Sequence, residues 1–237
     1  MENQPAEGLT DEILEDCLQA LHRAEAQGQP PLLADIAGFA RVSPAAATAA
    51  LRELARRGLV ERFDSTGPAL TGEGRRQAIA ILRRHRLSER LFTDVLGLPW
   101  DRAHEEAMRL EHALSPEAAA RLEDLLRHPE TCPHGAPIPA ADGSVRAPAT
   151  RALDRVPAGA RVRIAQIVEE EAVLLRHLAS LGLLPHAELS VEEAAPFGGP
   201  LLVRVGEARY AIGREIAAKI LVAEVIPNRQ DAKNAKA

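Results

Sequence analysis

The stretch AHEEAMRLEHALS, from Ala103 to Ser115, puts two histidines, a thioether and a carboxylate where a solvent face would ordinarily carry lysines. Read as a helix turning about 100° per residue, it gathers His104, Met108, Glu111 and His112 within an arc of roughly 100°. Ala103, Ala107, Leu110 and Leu114 form a separate apolar stripe, so the core is supplied without those four. Upstream, His85 and Glu89 stand four residues apart, one above the other on a helix face. Nitrogen, oxygen and soft sulfur donors at i, i+4 spacing can chelate one divalent ion, and two such helices facing each other can complete its shell. Metal binding is therefore the chemistry this pattern supports. A lone helical histidine is ordinarily solvated or hydrogen-bonded, and His22, His128, His134, His177 and His186 are read that way. A hydrolase built on two adjacent ions is the alternative use of the same donors, but no separate base or nucleophile motif accompanies them.

The elements that must position these donors can be read in order. Helical patterning begins near Thr10, with Ile13, Leu14, Leu18 and Leu21 on its apolar side, and stops at Gly28-Gln-Pro-Pro. LLADIAGFA (32–40) is a second short helix. Ser43 as cap and Pro44 at the first helical position open a third, which ends at Gly58. LVERF and LTGEG then read as two strands around a DSTGPA turn. Three helices followed by a hairpin make a winged helix-turn-helix, whose third helix presents a capped N-terminus able to enter a major groove. Ser43 and Thr48 suit phosphate or base contacts, and Arg52, Arg56 and Arg62 suit backbone charge. A small structural helical domain with solvated arginines is the competing reading.

A long helix is expected from Glu73 to Gly97, and Pro99-Trp100-Asp101 opens the donor-bearing helix. SPEAAARLEDLLRH (115–128) is a further helix capped by Ser115, and HPETCPHGAPIPAADG (128–143) is a Pro- and Gly-rich loop. After Ala147 the pattern alternates, and a short helix and strands follow, making a small β-barrel of SH3-like size. The expected division is disorder over 1–10, a DNA-binding domain over 11–77, a helical metal-binding and dimerisation domain over 78–143, a linker over 144–150, the barrel over 151–227 and a disordered tail over 228–237.

Composition narrows the setting. The 237 residues are 46% hydrophobic but only 3% aromatic, so the cores must be built from Leu, Ile, Val and Ala. No apolar run approaches the ~20 residues that span a bilayer, and the acidic start MENQPAEGLTDE is unlike a secretory signal. Cys17 and Cys132 do not form a disulfide framework, which points to a reducing cytoplasm. A net charge of −5 means that any DNA-binding surface must be a local basic patch, as between Arg41 and Arg62.

Three stretches, RRHRLSERLFTDVLGL (83–98), HEEAMRLEHALS (104–115) and HPETCPHGAPIP (128–139), resemble the diphtheria-toxin-repressor family of iron- and manganese-dependent transcriptional repressors. The resemblance covers nearly the whole chain. It implies a mainly α fold with a small β part: an N-terminal winged helix-turn-helix, a helical metal-binding and dimerisation domain, and a C-terminal SH3-like, FeoA-like barrel. It also implies two metal sites. One uses His85, Glu89 and His104, with Gln166 and Glu169 as candidate donors from the barrel. The other, regulatory site uses Met108, Glu111, His112 and one residue of the first helix, which a gap-free count makes Asp16. Iron-sensing members carry Met and Cys at the Asp16 and Met108 positions, and manganese sensors carry Asp and Glu. The oxygen donor Asp16 favours Mn²⁺ here, and the thioether of Met108 admits Fe²⁺. Ala136 stands where the family loop often has Asn. The expected protein is a cytoplasmic, homodimeric repressor of metal-uptake genes, activated by metal to bind a palindromic operator, with no membrane partner and no enzymatic activity.

Overall fold

The structure, a computed structural model, describes residues 8–64, 67–168 and 171–225, with the backbone alone over 62–64. The chain divides into two compact bodies. The first comprises Met1–Ser88, Ala107–Leu125 and Pro139–Val145, and the second Glu89–Glu106, Leu126–Ile138 and Arg146–Ala237.

The first body opens with α1 (Asp11–Ala26), α2 (Leu33–Phe39) and α3 (Pro44–Arg56), which pack pairwise on one another. Thr10 caps α1, its hydroxyl accepting from Ile13 N at 3.4 Å, and Ser43 caps α3, accepting from Ala46 N at 3.2 Å. Leu14, Leu18 and Leu21 of α1 meet Ile36 of α2 and Leu51 and Leu54 of α3 in a core that water does not reach. Each such side chain contributes about 1.5–3 kcal/mol, so these few fix how the three helices sit.

Strands β1 (Val60–Asp64) and β2 (Gly67–Leu70) form the antiparallel wing. The second strand is thus GPAL and not the expected LTGEG. Thr71 decides the difference: its hydroxyl accepts from Gly74 N at 3.0 Å and its carbonyl from Arg75 N at 2.9 Å, which starts α4 (Gly72–Arg90) at once. A Cβ on Gly74 would lie 1.9 Å from Leu59 O, so only glycine lets the helix approach the wing this closely. The rest of this body is the end of α5 (Trp100–Leu110) and α6 (Pro116–Leu125). Helix α5 opens at Trp100 as expected but ends at Leu110 and does not continue to Ser115. Pro116 disfavours helical geometry at Ser115, which caps α6 by accepting from Ala118 N at 3.1 Å, and Glu111 and His112 fall in the intervening turn.

The second body begins with the last residues of α4. The single long helix expected to Gly97 becomes a π-helical turn over Leu91–Val95, marked by Leu96 N donating to Leu91 O at 3.0 Å. Its main part is a six-stranded antiparallel sheet in the order β3-β8-β4-β5-β6-β7. The strands are β3 (Arg151–Ala152), β4 (Arg161–Ile167), β5 (Glu188–Ala194), β6 (Leu201–Val205), β7 (Ala208–Ile212) and β8 (Ile220–Glu224), with α7 (Ala172–Ser180) and α8 (Arg214–Ala218) between them. Alternating residues such as Val162 and Ile164, Leu189 and Val191, and Leu201 and Val203 point into one core with Leu175 and Leu178 of α7. The 126–138 loop docks on β4: Ile167 N donates to His134 O at 2.9 Å. A Cβ at Gly135, where φ is +86°, would lie 2.0 Å from Ala165 O, so both backbone conformation and space require glycine there.

Candidate metal centre

In the first body, α1 and the turn after α5 bring Asp16, Glu111 and His112 together, each offering one ligand atom within 4.8 Å of the others. His112 Nε2 lies 3.2 Å from Asp16 Oδ1 and 3.6 Å from Glu111 Oε1. Its other nitrogen, Nδ1, meets Glu15 Oε2 at 2.8 Å. The carboxylate of Glu15 thus orients the ring and turns Nε2 toward Asp16 and Glu111, as ligating histidines require. Arg84 of α4 braces both sides, donating to Glu15 Oε2 at 2.9 Å and to the Glu111 carbonyl at 2.8 Å. Glu111 is fully buried and accepts from Gln19 Nε2 at Oε1 and from His85 Nδ1 at Oε2. Met108 sits one turn before this pair on α5, half-buried.

The electrostatics suit a cation. Burial by itself would hold His112 below its usual pKa, but its contacts with Asp16 and Glu15 and the charge of Glu111 outweigh that and push it up to about 10. Glu15 is held below the usual carboxylate range: burial opposes this, and His112 and Arg84 together overcome it. Asp16 Oδ1 is buried, and its close approach among the described residues is to His112 Nε2, at 3.2 Å and outside good hydrogen-bond geometry. A divalent ion would satisfy that oxygen better, taking the place of the imidazole proton. The residues present fit one.

A second cluster lies in the second body, where Glu89, Cys132 and His134 are all buried and again offer ligand atoms within 4.8 Å. His134 Nε2 lies 3.1 Å from Trp100 O. A carbonyl only accepts, so this nitrogen carries a proton. The other, Nδ1, lies 3.2 Å from Glu89 Oε1 and 4.0 Å from Cys132 Sγ, and His104 Nδ1 lies 3.6 Å from the same Glu89 oxygen. Nitrogen, oxygen and sulfur atoms gathered in this way can share protons or, with the protons released, hold a cation.

Of the residues singled out in the sequence, Asp16, Glu111 and His112 converge in the first body, and Glu89 and His104 in the second. The division between the bodies falls between Ser88 and Glu89, which leaves His85 with the first, where it meets Glu111. Gln166 lies half-buried on β4, beside the docked Gly135, and Glu169 is outside the described residues. Cys132 and His134 were not anticipated, His134 having been read as an ordinary histidine. Their signal was the CPHG spacing, two donors either side of a proline and ahead of a glycine. Glu15 and Gln19 were missed too, although they flank Asp16 at one-turn spacing on α1.

The residues expected from the sequence to face DNA divide similarly. Ser43 uses its hydroxyl to cap α3, and Thr48 donates to Pro44 O at 2.8 Å. Arg56 and Arg57 both bond Glu53, at 2.6–2.8 Å, and hold its carboxyl down at about 2. Arg52 is exposed and has no ion pair among the described residues, and the side chain of Arg62 lies outside them. The outer face of α3 is otherwise Pro44, Ala45, Thr48 and Ala49.

Comparison with known proteins gives three family matches: the "Iron dependent repressor, metal binding and dimerisation domain" over residues 71–140, the FeoA domain over 151–224 and the MarR family over 16–67. The iron-dependent repressor IdeR of Mycobacterium tuberculosis H37Rv is 34% identical over 221 residues, covering 88% of this chain and 95% of that protein. The diphtheria toxin repressor of Corynebacterium diphtheriae is 36% identical over 159 residues, covering 64% of this chain and 70% of that protein. Among solved structures, a manganese-dependent transcriptional repressor in complex with manganese superposes with a TM-score of 0.83 at 34% identity, covering 90% of this chain and all of that one.

Proposed function

The chain belongs to the family of iron-dependent, diphtheria-toxin-type repressors, and from that premise we propose that it grips a palindromic operator only when a divalent ion, Mn²⁺ in preference to Fe²⁺, occupies the Asp16–Glu111–His112 cluster. As a family member it is a metal-dependent DNA-binding regulator with a dimerisation domain, and not an enzyme. The observation that carries the proposal is the convergence of one ligand atom each from Asp16, Glu111 and His112 within 4.8 Å of one another on a winged-helix body.

A bound ion would supply positive charge between the two facing carboxylates of Asp16 and Glu111. The chain's own residues do the rest. Glu15 points His112 Nε2 inward, and Arg84 ties Glu15 to the Glu111 carbonyl, holding α1 against the turn after α5. Helix α3 packs on α1 through the shared leucine core, so fixing α1 also fixes the N-terminus of α3. In a dimer this sets the separation of the two recognition helices to successive major-groove faces of a palindrome. Carboxylate oxygens and an imidazole suit Mn²⁺, and Met108, one turn away, adds a soft donor that admits Fe²⁺.

A second ion is held, on this reading, by Glu89, Cys132 and His134 with His104, and Gln166 and Glu169 are further candidate donors. His85, in the first body, meets Glu111 through Nδ1. The targets are genes of metal uptake, and the site of action is the cytoplasm; no described helix is long and apolar enough to cross a membrane. Operator binding titrated with Mn²⁺ and with Fe²⁺ under anaerobic conditions tests the proposal. Both ions should activate, Mn²⁺ at the lower concentration; activation by neither would end it.

A further inference from the structure

Glu111 is fully buried, and each of its carboxylate oxygens meets a nitrogen donor. Gln19 Nε2 donates to Oε1. An ionised carboxylate only accepts, so His85 donates from Nδ1 to Oε2, across 2.5 Å. Gln19 is itself only 6% exposed, and a neutral amide at that depth needs a partner; among the described residues it finds one in Glu111, a candidate ligand. Oε1 is also the oxygen that faces His112 Nε2, at 3.6 Å. It therefore serves two purposes: one lone pair takes the Gln19 proton, and the other is presented to the cluster.

Glu15 and Gln19 lie one turn apart on α1 with Asp16 beside Glu15. Glu15 orients His112, and Gln19 orients Glu111. One helix thus contributes a ligand and steers the other two.

We propose that Gln19 is a positioning residue of the regulatory metal site, pinning Glu111 so that it binds an ion through Oε1 alone. The inference rests on the metal-site reading above. Its consequence is selectivity. Ions of the calcium type take six to eight oxygen ligands and readily accept a carboxylate through both oxygens, whereas first-row transition ions are satisfied by fewer donors that include nitrogen and sulfur. A carboxylate with Gln19 on one oxygen and His85 on the other cannot swing to present both.

The test uses the full chain and the metals alone. Gln19→Met keeps the volume and removes the donor, and Gln19→Ala serves as a second variant. Calorimetric titrations with Mn²⁺, Co²⁺ and Ca²⁺, the visible absorption of the Co²⁺-saturated protein, and the thermal midpoint in chelator are measured for each. Mn²⁺ and Co²⁺ affinity should fall about 10–100-fold in both variants, as on loss of a supporting hydrogen bond to a ligand. Ca²⁺ affinity should fall less or rise. The Co²⁺ bands should shift at saturation, a change that a purely structural role for Gln19 would not produce. Unchanged Mn²⁺ and Co²⁺ affinities with unchanged bands would overturn the inference, and so would a lowered thermal midpoint with affinities intact. Metal binding by the wild type that Asp16→Ala leaves untouched would instead overturn the metal-site reading itself, and this inference with it.

Discussion

Asp16 and Cys17 are neighbours on α1, and the fold gives them opposite tasks. A helix turns them about 100° apart, so one faces the Glu111–His112 turn while the other enters the leucine core. Burial, reinforced by the Asp16 charge, pushes the Cys17 thiol up to about 12, so it is a neutral packing group at physiological pH and no ligand. Asp16→Ala should therefore weaken Mn²⁺ binding by more than the about 10–100-fold that follows loss of a supporting hydrogen bond. Cys17→Ala should leave the affinity essentially unchanged and lower the melting temperature. Calorimetric titration beside thermal unfolding distinguishes the two, and the reverse pattern would move the ligand by one residue. Cys132 belongs to the other cluster. Its replacement by Ala should remove a second bound equivalent of metal while the equivalent linked to Asp16 persists, as measured by metal content after equilibrium dialysis. Loss of both equivalents together would contradict two separate clusters.

Residues on helices were legible because a helix repeats: His85 with Glu89, and His104 through His112, announced themselves by spacing. Asp16 needed the family resemblance, since nothing in its own neighbourhood marks it as a ligand. Cys132 and His134 lie in a loop with no period, and their convergence on Glu89 comes from the docking of Gly135 on β4, a tertiary event. Gln19 was invisible for another reason: a neutral amide carries no charge pattern, and only its burial against Glu111 gives it a role.

Among the elements, α3 and α6 were read with the right starts, because Ser43 and Ser115 do chemically what caps do, whereas at α1 the capping hydroxyl is that of Thr10 and not the neighbouring Asp11 carboxylate. The errors fell where tertiary contacts override local preference. Thr71 starts α4 at Gly72, directly after the wing where the second strand was expected to continue, and the π-turn over Leu91–Val95 has no sequence signature. Helix α3 is the element expected to read DNA, and from Pro44 to Ala49 its outer face is mostly methyl groups, with the Ser43 and Thr48 hydroxyls already engaged by its own backbone. Such a face reads thymine methyls and groove shape better than hydrogen-bonding edges. Replacing operator thymines by deoxyuridine, which removes only the 5-methyl group, should weaken binding about fourfold for each methyl in contact, given about 0.8 kcal/mol per buried carbon. No loss at any position in a gel-shift series would rule out methyl reading. Arg52→Ala should weaken binding across all sequences and flatten the salt dependence.

At the scale of the molecule, the winged-helix body already holds α1 against the Glu111–His112 turn through Arg84, Glu15 and Gln19. The work left to an ion is small in distance and large in charge: it must neutralise Asp16 and Glu111 together and so favour one attitude of α1 and α3 over others. Coupling of this kind between an effector site and a binding face typically amounts to about 1–3 kcal/mol, or about 5–150-fold in affinity, and the two copies in a dimer compound it. The most direct measurement is the affinity of the full chain for its operator by fluorescence anisotropy, at fixed ionic strength, with saturating Mn²⁺ and with excess chelator. Binding should be tighter with Mn²⁺ by at least the lower end of that range in the wild type and equal in both conditions for Asp16→Ala; equal operator affinity in the wild type with and without the ion would contradict the account.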